Sequence, residues 1–213
     1  MIETVHVDDH LIVVDKPAGL LAVPGRGEAG RDNLATRVAA AFGDALVVHR
    51  LDRDTSGLML FARGPEMQRR LARAFAEREV DKRYVAVVAG LLADDAGTIE
   101  APIAADWPNR PRRIVDARGQ PSLTRWRVLS RDEPCDASCA PPTTRVALEP
   151  HTGRTHQLRV HLAWIGHPIV GDRLYGPAAP QSAAARLMLH ASRLAFVHPA
   201  RGERVVFDSA VPF

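Results

Sequence analysis

Apolar residues near the start of this chain fall in short blocks separated by polar turns. Thr4–Val7 and Leu11–Val14 flank Asp8-Asp9-His10, a pattern that predicts a β-hairpin. Pro17, Gly19, Pro24, Gly25, Gly27 and Gly30 then predict a long loop. Leu34, Val38 and Ala41 share one helical face, with Asp32 or Asn33 as the capping residue and Gly43 as the stop. Leu46–Val48 predicts a short strand, and the unbroken apolar run Leu58–Ala62 suits a buried one. The stretch between them, His49 to Ser56, is polar. Pro65 opens a second helix whose Met67, Leu71 and Phe75 recur every four residues, with arginines on its outer face.

Further along, Tyr84–Leu92 is strongly β-prone, and Ile99, Ile114–Val115, Leu123–Leu129 and Thr144–Leu148 supply more strands. Thr155–Ile165 has helical spacing, with Leu158, Leu162 and Ile165 facing inward, Thr155 as cap and Gly166 as stop. Leu187–Phe196 and Val205–Phe207 read as late strands. Ser130–Pro142, with Pro134, Pro141, Pro142 and both cysteines, reads as an exposed loop. Runs of strands between few helices predict an α+β fold with a central, largely antiparallel mixed sheet flanked by helices and loops. With no internal repeat and 213 residues, one domain over residues 1–213 is expected.

Composition changes this picture little. Aromatic residues are only 5% of the chain, so the core should be aliphatic. Of the 28 lysines and arginines only Lys16 and Lys82 are lysine, a bias toward groups that bind phosphate bidentately and stack on bases. A GC-rich coding sequence would give the same bias. The net charge of +3 permits nucleic acid as a partner without requiring it. Cys135 and Cys139 are too few for a disulfide framework or a zinc site of their own. The start shows no export signal, and no apolar run nears the roughly 18 residues that span a membrane. A cytoplasmic soluble protein is expected.

Two segments carry candidate chemistry. In His49-Arg50-Leu51-Asp52-Arg53-Asp54-Thr55-Ser56-Gly57, two carboxylates lie among two arginines and a histidine at a strand end. Neighbouring cations keep a carboxylate ionised, as a nucleophile or electrostatic stabiliser must be. An ordinary polar turn with ion pairs would look the same. In His151-Thr152-Gly153-Arg154-Thr155-His156-Gln157-Leu158-Arg159-Val160-His161, the helix start would attract an anion, and His156 and Arg159 would share a face. The spacing of His156 and His161 matches no standard zinc motif, and no metal is expected.

These segments resemble motifs of the RluA family of pseudouridine synthases. His49 to Gly57 is similar to its H-R-L-D-x-x-T-S-G motif, Val13-Val14-Asp15-Lys16-Pro17-Ala18-Gly19-Leu20 to its first motif, Lys82-Arg83-Tyr84 to its K-x-Y element, and Thr152 to His161 to its third. Val23-Pro24-Gly25-Arg26 and Ala105-Asp106-Trp107-Pro108-Asn109-Arg110-Pro111 resemble segments of the family's dual-specificity type member, which lacks an N-terminal S4-like RNA-binding domain. The resemblance implies a catalytic domain without an S4 domain, acting on tRNA anticodon stem-loops and 23S ribosomal RNA. It implies no cofactor; with no long apolar run and no heptads, no membrane, no obligate protein partner and a monomer are expected.

By the same resemblance Asp52 is the catalytic carboxylate. It could attack C1′ or the base, or assist proton removal from the sugar. Tyr84 would stack on the flipped uracil, and Arg159 would pair with Asp52 and hold it ionised. Arg50 would fill the place vacated by the target base. Thr55, Arg110, Arg113 and His156 complete the expected substrate contacts, and Asp54 is expected to be a solvent or structural ion-pair residue. The rival expectations are a synthase of the family acting on a different uridine, a hydrolase that releases uracil, and an RNA-binding module without catalysis.

Overall fold

The computed structural model describes residues 2–133, 141–176 and 184–213. Both cysteines lie outside these residues. The chain forms two compact units, Met1–Lys82 with His190–Pro212, and Arg83–Leu189 with Phe213.

The first unit is a mixed sheet with helices. Strands β1 (Glu3–Val7) and β2 (Leu11–Lys16) form the expected hairpin, and β4 (Ser56–Arg63) pairs antiparallel with β2. Short β3 (Ala45–Val47) also lies on β4. Strand β11 (Leu189–Val197) runs parallel to β4, and β12 (Arg204–Asp208) pairs antiparallel with it. The apolar runs of β2 and β4 are buried on both faces. Leu11, Val13, Leu58 and Leu60 pack against Met67 and Leu71 of helix α2 (Pro65–Ala76). Their alternates Ile12, Val14, Met59 and Phe61 pack against Leu34 and Val38 of helix α1 (Leu34–Phe42). Asn33, not Asp32, caps α1, accepting the Thr36 N–H at 2.9 Å, because Asp32 is held by Arg37.

The second unit has a one-sided sheet in the order β5 (Asp81–Ala89), β10 (Thr143–Pro150), β9 (Leu123–Asp132), β6 (Ala96–Glu100), all antiparallel. Burial alternates along β9 and β10, and their inward residues Trp126, Val146 and Leu148 meet Leu158 and Leu162 of helix α3 (Gln157–Trp164). Strands β7 (Ile103–Ala105) and β8 (Arg113–Val115) form a separate hairpin. Residues Ser130–Asp132, expected in a loop, extend β9, because Thr143 to Arg145 of β10 pair with them. The fold class is the expected mixture of helices and a mixed, largely antiparallel sheet architecture.

Gly57 fixes the parallel pairing in the first unit. It lies opposite Ala191 with φ at +112°, and a Cβ there would stand 2.3 Å from the Ala191 carbonyl oxygen. Gly57→Ala is therefore expected to lower unfolding free energy by at least about 2 kcal/mol, combining positive-φ strain with backbone collision. Urea unfolding checks this; a loss below about 0.5 kcal/mol would show that β11 yields easily.

Candidate functional site

The polar loop 48–55 joins β3 to β4, and the first unit holds it at several points. Lys16 has no exposed surface, and its ammonium donates to the carbonyls of Pro17 at 2.9 Å, Leu20 at 2.8 Å and Arg53 at 2.8 Å. The Gly19 N–H donates to the same Arg53 carbonyl at 2.9 Å. The backbone immediately after Asp52 is thus tied to the Lys-Pro turn. At the end of the motif, Ser56 Oγ lies 2.8 Å from His190 Nδ1, and His190 Nε2 lies 2.9 Å from Ser209 Oγ. Ser209 in turn donates to Asp15. This chain of polar contacts, buried at Ser56 and His190 and half-buried at Ser209 and Asp15, joins β4, β11, the C-terminal segment and β2.

His49 opens the loop by serving the sheet. Its Nε2 accepts the Leu60 N–H at 2.9 Å, and its ring stacks on Phe75 at 4.5 Å between centroids. Burial, with the Lys82 charge adding to it, pushes its pKa down to about 3. Arg53 and Asp54 pair with each other at 3.0 Å, so Asp54 takes the structural ion-pair role expected of it. Asp52 is half-buried, Arg50 is exposed and Thr55 is buried. The loop therefore exposes Arg50 and Arg53, and of its two half-buried carboxylates Asp54 is paired with Arg53 while Asp52 sits beside a fixed backbone.

In the second unit the start of α3 differs from expectation. Thr155 does not cap it; His156 precedes the helix in the left-handed conformation, at φ 57°, with no capping side chain. Gln157 takes over the work of a cap. Its Oε1 accepts the Arg154 N–H at 3.0 Å and the Thr152 hydroxyl at 2.7 Å, while its Nε2 donates to Leu123 O and Thr124 Oγ1, each at 3.0 Å. His161 is also buried, between Thr124 Oγ1 and the Ala101 carbonyl, each at 2.9 Å. Helix α3 is consequently not amphipathic with a wet basic face. Its polar residues are interior and partnered.

Arg159 illustrates this best. Its Nε and Nη2 make a bidentate pair with Asp172, at 2.7 and 2.8 Å, with side chains only 4% and 0% exposed. Asp172 also accepts the N–H groups of Leu174 and Tyr175, so one carboxylate fixes both the arginine and the turn that carries Tyr175. The Tyr175 hydroxyl accepts the Arg113 N–H at 2.8 Å and lies 2.7 Å from His156 Nδ1. The Arg159 guanidinium stands 5.2 Å from the Tyr175 ring centre. His156, Arg159 and Arg113, expected from the sequence, thus meet around Tyr175 and Asp172, which sequence reasoning missed. The signal for Tyr175 was its being one of two tyrosines in the chain.

Tyr84 is half-buried on β5 and packs against the core of its unit. Arg110 stacks on Trp107 at 3.5 Å from the ring centre, and that tryptophan is 68% exposed. Among the described residues, no three His, Cys, Asp or Glu side chains gather in a way that could hold a metal.

Residues 10–164 match the family model described as RNA pseudouridylate synthase. The chain is 45% identical over its full length to a dual-specificity RNA pseudouridine synthase RluA of Pasteurella multocida, covering 94% of that protein. It is 43% identical over 207 residues to the protein of the same name from Escherichia coli K12, covering 97% of this chain and 91% of that one. Human RNA Pseudouridylate Synthase Domain Containing 1 superposes with a TM-score of 0.82 at 30% identity, over 100% of this chain and 84% of that one.

Two outcomes follow from the buried contacts. An unfolded histidine takes up a proton below about pH 6.5, whereas folded His49 resists until about 3, so stability should fall as pH drops through that window. His49→Gln keeps an acceptor for Leu60 without titrating. Its stability should therefore fall less steeply, by up to about 1.4 kcal/mol per pH unit, in urea titrations at successive pH values. Identical slopes would mean that His49 is protonated in the folded protein. Asp172→Asn breaks the buried bidentate pair with Arg159, and a loss of about 3–5 kcal/mol is expected in the same assay.

Proposed function

The chain belongs to the RNA pseudouridylate synthase family, in its RluA branch, and from that membership we propose that it isomerises uridine to pseudouridine in structured RNA. The observation that carries the reading is the His49–Gly57 motif held rigid around Asp52, with the adjoining Arg53 carbonyl bound by both Lys16 and Gly19. A reaction that breaks the N1–C1′ bond, turns the base and forms a C5–C1′ bond needs one carboxylate kept in place through a rearrangement. N1 gains a proton, C5 loses one, and no base is released. Fixed backbone on either side of Asp52 meets that requirement.

The other roles follow the motifs. Arg159, held by Asp172, has the role that its motif suggests, the cation that keeps the catalytic carboxylate ionised. Tyr84 stacks on the extruded uracil, and Arg50 fills the gap in the RNA stack. Thr55 supports the loop from its buried position. His156 and Arg113 contribute through the cluster around Tyr175, and Arg110 with Trp107 offers an exposed stacking surface for RNA. Side chains alone supply this chemistry, without a cofactor.

The targets we propose are a tRNA anticodon-loop uridine and a 23S ribosomal RNA uridine, read by a monomeric catalytic domain spanning residues 1–213 in the cytoplasm. The identity to dual-specificity enzymes over nearly the whole chain supports this reading. Among the described residues, no helix is long and apolar enough to cross a membrane.

The test is a pseudouridine map of total RNA from cells with the gene, without it, and restored with wild type or Asp52→Asn. One anticodon-loop site and one 23S site should lose the modification without the gene and regain it only with wild type. In vitro, Asp52→Asn should lose turnover by more than about 10³-fold while RNA affinity stays within a few fold. Restoration by the variant would remove Asp52 from the chemistry. A single altered site elsewhere would keep the activity and discard the dual target. Free uracil among the products would make the enzyme a hydrolase.

A further inference from the structure

We propose that a cleft in the second unit is a phosphate subsite for the RNA backbone, formed by Arg113, Arg118 and Arg154. The inference rests on the RNA reading above and specifies where the chain grips the strand.

The cleft has a volume of about 490 Å³ and lies between the β7–β8 hairpin with its following turn and the loop before α3. Three arginines line it, and no carboxylate does among the described residues. Each arginine is placed differently. Arg113 holds its Nε away from water, and that N–H has no hydrogen-bond partner among the described residues. A buried donor without an acceptor is costly, and an anionic oxygen is the group that would complete it. Arg154 is exposed, and its Nε makes only a long contact of 3.4 Å to the Pro121 carbonyl. Arg118 is bound by Asp116 at 2.9 Å, which holds that carboxyl down to about 2, so it brings a partly neutralised charge to the rim.

Size and lining narrow the ligand. The space lies in the range of pockets that bind whole small molecules, well above what a lone phosphate needs. Its hairpin wall is apolar, made of Ile103, Ala104 and Ala105. Guanidinium forks on one side and an aliphatic wall on the other suit a sugar–phosphate unit better than a free ion. Gly153 leaves the opposite rim open, since a side chain there would meet nothing within 4 Å. Both walls are also fixed before any ligand arrives. Ile103 and Gln120 exchange backbone hydrogen bonds of 3.0 and 2.9 Å, and the Arg154 N–H is bound by Gln157 at 3.0 Å. Pre-set walls spare the ordering cost of binding.

The experiment measures affinity for bulk tRNA against salt concentration. The variants are R118A/R154A, a control R69A/R73A that removes two exposed charges from α2, and R113M. If two phosphates sit in the cleft, R118A/R154A should lower the slope of log affinity on log salt by about 1.4, and the α2 control by less than half of that. R113M should weaken binding several fold without lowering the melting temperature, because it removes an orphaned donor rather than a structural bond. An unchanged slope in R118A/R154A, or an equal drop in the control, would overturn the subsite. A lower melting temperature in R113M with unaltered affinity would make Arg113 structural and overturn it as well. Failure of the wild type to bind tRNA would instead take away the RNA reading on which the subsite rests.

Discussion

A charged ammonium sealed in a protein interior is stable only where oxygens replace its water, and Lys16 is such a group. Its three N–H donors meet the carbonyls of Pro17, Leu20 and Arg53. Two of those carbonyls belong to the turn after β2, and the third belongs to the loop before β4. The lysine therefore ties two segments 37 positions apart in sequence into one rigid corner. No regular secondary structure does this work, because loop 48–55 forms no ladder of its own. What would otherwise be a mobile connection becomes fixed backbone, and Asp52 inherits that rigidity from its neighbour Arg53.

The second unit reaches the same end by another route. Helix α3 buries six consecutive residues from Gln157 to Leu162, three of them polar. Burial of that kind is tolerable only when every polar group finds a partner. Gln157, Arg159 and His161 do so through the loop before the helix, Asp172 and strand β9 respectively. The Arg159–Asp172 pair contributes little net stability compared with an apolar pair of the same shape. Its value lies in direction: a bidentate fork leaves the guanidinium plane little freedom, and the Tyr175 ring is held beside it by the same carboxylate.

Much of the fold could be read from periodicity because burial here is either two-sided or strictly alternating. The runs Leu11–Val14 and Leu58–Ala62 are continuous since helices cover both faces, and Thr144–Leu148 alternates since one face is left polar. Local reading failed where a distant partner decided the outcome. Thr155 has the chemistry of a cap, but the side chain of Gln157, braced by Leu123 and Thr124, already serves the backbone at that turn. Ser130–Asp132 looks like loop on composition, yet a paired strand extends it. Asp172 and Tyr175 belong to no periodic element, so nothing local distinguishes them from surface turn residues. The motif residues themselves were legible, but their geometry was not.

The two lysines sharpen the question of why arginine fills nearly every other basic position. Among the described residues several arginines meet a planar acceptor, as Arg159 meets Asp172, Arg37 meets Asp32 and Arg193 meets Asp208. Lys16 meets three separate carbonyls converging on one point, a geometry that a flat fork cannot match. Lys82 sits mostly out of water, where burial and then the charge of Arg78 depress its pKa, a response open to an ammonium and not to a guanidinium. Base composition can explain why arginine is common here. It does not explain why Lys16 falls where three carbonyls converge on one point, and that placement ties the Lys-Pro turn to geometry rather than to codon usage.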